Sequence, residues 1–77
     1  MNEIIKSQAL IIAEKLHDLN GFWFHYKKIK TIGFQKCFEL CSLSLQLARE
    51  GRIKTTAARY YNGCVQKEEE KIHNKSL

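Results

Sequence analysis

The chain contains no proline and only four glycines in 77 residues. Apart from those glycines and a few polar residues, nothing in it interrupts a helix. Long apolar runs are also missing. The longest, Ala9 to Ala13, has five residues, against the roughly 20 that cross a bilayer. Three cysteines, an odd number, do not make a disulfide framework. The amino terminus is acidic and amphipathic and has no small-residue cleavage site, so no signal peptide is expected. These absences together predict a soluble protein in a reducing, cytoplasmic setting, with no membrane partner.

Size excludes more. A chain this short forms one domain at most. It buries about 60% of its unfolded surface and is stable by a few kcal/mol. That leaves little room for an enclosed cavity, and no small-molecule substrate is expected. What is present is an ordinary apolar content of 44%, enough for a packed core. Lys and Arg total 13 against 8 Asp and Glu, a net charge of +5. Such a balance favours an acidic partner such as nucleic acid, and equally describes a solvated basic surface without one.

Hydrophobic periodicity predicts an all-α fold, a compact bundle of about four helices. Ile5, Ala9, Ile12, Ala13 and Leu16 share one face of a helix over 3–18, and Asn20-Gly21 suits a left-handed helix end. Residues 22–30, FWFHYKKIK, fit either a strand or a helix. A lone strand would have no partner here, so helix is expected. Phe34, Cys37, Phe38, Cys41, Leu45 and Ala48 mark the strongest helix, 34–50, with Leu40, Leu43 and Leu47 widening its arc. It is expected at the centre, with Phe38 in the core. The last helix runs from 56 to about 72, with Thr55 or Thr56 as N-cap and Ala57, Tyr60, Tyr61, Cys64 and Val65 on its apolar face. Gly63 within it costs about 1 kcal/mol relative to alanine, a cost that close helix contact often explains. The expected domain is 1–67, with 68–77 a charged, frayed tail.

The run ALIIAEKLHDLNGFWFHYKKIK, followed by an amphipathic helix and then GRIKTTAARYYNGCVQK, resembles a small C-terminal helical module of plasmid and phage replication proteins, related to modules of DnaD-type primosome proteins. The matching positions are Ala9, Ile12, Ala13, Leu16 and Asp18, then Phe24 and Tyr26, then Gly51, Ile53, Lys54, Ala57, Ala58 and Tyr61. They cover about residues 9–67 and are packing positions rather than reactive groups. Thr55-Thr56 departs from the pattern, which often has Asn-Pro or a Ser-Arg-Gly-like turn there. The resemblance implies an accessory module of replication or mobile-element proteins without activity of its own.

Candidate binding residues fall in two basic patches. Lys27, Lys28 and Lys30 lie close to Trp23 and His25. Arg52, Lys54 and Arg59, with Arg49 before them, lie close to Tyr60 and Tyr61. Basic residues interleaved with aromatics supply counterion release and base stacking. A lysine on the solvent side of a short helix has no such role. Ile53, between Arg52 and Lys54, is expected to plug the gap between the last two helices while its neighbours point outward. The tyrosine rings would be buried with their hydroxyls near water. Glu68, Glu69 and Glu70 would repel phosphate, so the tail should point away from a nucleic-acid surface.

Sharper chemistry is weaker in the sequence. Cys37, Cys41 and Cys64 with His25 or His73 could be a zinc set, but cysteines inside an apolar helical stripe are expected as free core thiols. His17 and Asp18 project about 100° apart on a helix and do not form a dyad alone. No enzyme activity, metal or cofactor is expected. Two classes of function remain. One is a nucleic-acid-associated accessory module. The other is a small subunit, adaptor or inhibitor that docks a helical face on a larger protein.

Overall fold

The structure, a computed structural model, describes residues 2–75. Four α-helices form a small bundle, with no strand among the described residues. They are α1 (Glu3–Lys15), α2 (Phe22–Ile32), α3 (Phe34–Arg49) and α4 (Ala57–Lys75), with a 3-10 turn at Leu19–Gly21. The ambiguous segment 22–30 is helical, as α2. No helix is long and apolar enough to cross a membrane, among the described residues.

Helix ends follow from local chemistry. The Asn2 side chain accepts hydrogen bonds from the Ile4 and Ile5 amides at 2.9 and 3.2 Å, capping α1. The far end of α1 comes earlier than expected. His17, at φ 53, takes the left-handed position, and the amides of His17 and Asp18 donate to the carbonyls of Glu14 and Ala13. This is a Schellman closure. The same closure ends α3, where Gly51 at φ 67 fills the left-handed position and the amides of Gly51 and Arg52 donate to Ala48 and Leu47. Gly33 alone joins α2 to α3, at φ 104 and ψ 148. Only glycine adopts that backbone freely. At the start of α4, the Thr56 hydroxyl accepts from the Arg59 amide at 3.2 Å.

The core is built from small and medium side chains. Ala9, Ile12, Ala13 and Leu16 come from α1, Ile29 from α2, Cys37 and Cys41 from α3, and Tyr61 and Val65 from α4. His25 and Ser44 are buried with them. Ser44 needs no outside partner, because its hydroxyl donates to the Leu40 carbonyl at 2.7 Å. The helix over 34–50 contacts all three others, and so does α2, so the central position is shared.

Several packing expectations are corrected. Phe38 is only half-buried; its ring lies 5.5 Å from Phe34, with the Lys15 ammonium 5.5 Å above it. The buried row of α3 is Cys37, Cys41 and Ser44, which turns Phe38 to the rim. Leu43 is exposed on the opposite side. A Cβ at Gly63 would meet nothing within 4 Å, so no close helix contact explains that glycine. The Tyr61 hydroxyl is buried beside the Cys37 thiol rather than near water. Ala57 and Ala58 pack against the core; Ile53 is half-buried between exposed Arg52 and Lys54. Residues 68–75, placed outside the domain by their charge, continue α4, while Ser76 and Leu77 lie outside the described residues.

Candidate functional site

The continuation of α4 changes the first basic patch. Tyr61, Val65 and Glu69 recur every four residues, so the face that packs on α2 carries a carboxylate at its end. Glu69 Oε1 accepts from Lys28 Nζ at 2.9 Å, and the same ammonium stands 5.2 Å from the Phe24 ring centre. The acidic run does not point away from α2. It engages Lys28, which is partly buried.

Trp23, Lys27 and Lys30 stand opposite, at i, i+4 and i+7, on the solvent side of α2. All three are exposed, Trp23 at 53%. Neither lysine has a carboxylate partner among the described residues. The indole is braced at its base. Phe22 lies 5.1 Å away at 60° and Tyr26 5.8 Å away at 62°, so neither ring stacks parallel to it. Tyr26 is in turn held by the Asn2 amide, which donates to its hydroxyl at 3.0 Å.

The second patch is looser. Arg52, Lys54 and Arg59 are exposed. Arg52 donates to Glu50 at 3.4 Å, both side chains being in water, a pair worth little. Tyr60 is half-buried and lines a shallow cleft with Arg59, Gly63, Cys64 and Lys67.

A histidine–aspartate pair does exist, with His25 rather than His17 as the partner of Asp18. Asp18 leaves the end of α1 and accepts from His25 Nε2 at 3.1 Å. A carboxylate only accepts, so Nε2 carries the proton. Nδ1 is then a buried nitrogen without a partner, and a second proton there would be an unpaired donor. Burial lowers the pKa of His25, against an opposing contribution from Asp18, which keeps the ring neutral. Gly21 makes room for this contact: a Cβ there would overlap the Asp18 carboxylate. The sequence did carry a signal for His25, which sits three residues after Phe22 and four before Ile29, on the helix's apolar face.

The thiols sit in different settings. Cys37 and Cys41 are buried, and Cys64 is half-buried. Burial pushes the Cys37 and Cys41 thiols up, away from the thiolate that nucleophiles and metal ligands need. Among the described residues no three His, Cys, Asp or Glu side chains are grouped to hold a metal.

The chain is thus a small all-α bundle with one exposed aromatic and basic helix face. No protein-family model matches it, and no curated protein or solved structure matches it either.

Proposed function

We propose that this protein is a non-catalytic, nucleic-acid-associated binding module, acting in a replication or mobile-element context. The observation that carries the proposal is the solvent face of α2, where the exposed Trp23 ring is in line with two unpaired ammonium groups, Lys27 and Lys30. Rings stack on bases and ammonium groups release counterions from phosphate. Lys54 and Arg59 are further exposed cations without acidic partners among the described residues, and the net charge of +5 favours the encounter. The resemblance to replication-protein modules supplies the context.

Fluorescence anisotropy of labelled oligonucleotides, titrated at several salt concentrations, tests this. Contacts from Lys27 and Lys30 alone give a log–log slope of about −1.4 to −1.8, and engagement of Lys54 and Arg59 as well gives about −3 to −4. Absence of any salt-sensitive affinity at micromolar protein would favour the second reading, docking on a larger protein. Ile4, Leu10, Ile11 and Leu19, all exposed on and just after α1, support that reading.

A further inference from the structure

The face on α2 is short. At 1.5 Å of rise per residue, Lys27 lies about 6 Å and Lys30 about 10.5 Å along the helix from Trp23. The α4 side closes it off, because Lys28 is bound to Glu69 and Glu70 lines a cleft beside Thr31. What remains accommodates one flat ring and two nearby phosphates.

That footprint selects among nucleic acids. A duplex keeps its bases paired and stacked, with no free π-face for an indole. Reading a duplex in its groove takes arginine, lysine, asparagine or glutamine on base edges, and with Lys27 and Lys30 on phosphates this face has none left for them. An unpaired strand offers a free base face next to its own phosphates, and every base has such a face. Resting on the nucleic-acid function proposed above, we infer that the ligand of this face is a single strand, bound without sequence preference, with one unstacked base on Trp23 and the adjoining phosphates on Lys27 and Lys30. Phe22 and Tyr26 contact the indole in T-shaped rather than parallel arrangements and leave it 53% exposed, so the ring is held at the surface before the strand arrives.

Trp23 is the only tryptophan in the chain, so its emission reports directly on this contact. The intact protein is titrated with a thymidine oligonucleotide of about 12 residues and, separately, with a duplex of the same length, while anisotropy of a labelled copy reports binding. The single strand should quench the emission to a plateau that tracks the anisotropy. Trp23→Ala should weaken its binding by about 5- to 150-fold, with Trp23→Phe retaining most of the affinity and both variants melting like the parent. Anisotropy that rises with no change in emission, a Trp23→Ala protein that binds as tightly as the parent, or a duplex bound as tightly as the single strand would overturn the single-strand inference and leave nucleic-acid binding standing. No anisotropy change with either probe would overturn both. The emission measurement uses the unaltered protein, so it holds even if a variant fails to fold.

Discussion

On one side of α2, His25 and Ile29 are covered by the other helices. On the other, Trp23, Lys27 and Lys30 are exposed to water. The two sets alternate along the same eight residues, 23 to 30. Their difference is one of partners. His25 has Asp18 and the Tyr61 ring, 5.6 Å away, whereas Lys27 and Lys30 have no carboxylate among the described residues. Lys28 shows that an ammonium on this helix is engaged when it faces the bundle. On the inner side His25 Nε2 and Lys28 each have a carboxylate, and the ammonium groups on the outer side remain free for a ligand.

If that contrast holds, substitutions on the two sides should separate stability from binding. The largest effect is expected at Ile29, which is almost fully buried. Ile29→Ala should cost about 2–5 kcal/mol, a large share of the stability of so small a domain. Chemical denaturation would show it as a lower midpoint, and a midpoint within error of the parent would mean that the inner side is misassigned.

Next comes Gly21→Ala. The new methyl would displace the Asp18 carboxylate and leave the His25 Nε2 proton buried without an acceptor. A loss of about 1–3 kcal/mol is expected. An unchanged melting temperature would show that the Asp18–His25 contact does not contribute.

His25 also ties stability to pH. Its folded pKa is lowered by burial, while the unfolded ring titrates near about 6.5. Below that value the unfolded chain takes up a proton that the folded chain resists, so acid favours unfolding. Above it, this group contributes its full stability and no slope. The melting temperature should fall between about pH 6.5 and 5.5 and stay level from about 7 to 8 as far as His25 is concerned. His25→Gln should flatten the acid limb, and an acid limb of equal steepness in that variant would assign it to other groups.

The smallest effect lies on the outer side of α4. Gly63 has open space where a Cβ would stand, so Gly63→Ala should stabilise by up to about 1 kcal/mol. Destabilisation would reveal a close contact at that glycine.

Much of the inner side was legible in the sequence and little of the outer one. Ala9, Ile12, Ala13 and Leu16 recur at helical spacing, and so do Cys37 and Cys41, so their burial follows from apolar period alone. Ser44 and Phe38 defeat that logic. The serine is buried because its hydroxyl is satisfied within its own helix, and the larger, more apolar phenylalanine lies on the rim. For His25 the helical spacing from Phe22 and Ile29 pointed inward, but its pairing with Asp18, which makes a neutral imidazole cheap to bury, is expressed by no hydropathy ranking. The Asn20-Gly21 signal drew the end of α1 too far along, because His17 accepted the left-handed position that glycine usually takes. For the candidate site, patch membership was visible but not pairing. Lys27, Lys28 and Lys30 are alike in sequence, and only the continuation of α4 to Glu69 separates the middle one from its neighbours.

The most direct test of this two-sided account is the double substitution Lys27→Gln with Lys30→Gln, measured for melting temperature and for salt-dependent binding of a single-stranded oligonucleotide. The account predicts a melting temperature within about 1–2 °C of the parent, weaker binding, and a log–log salt slope reduced by about 1.4. A protein that unfolds, or one that binds with unchanged affinity and slope, would contradict it.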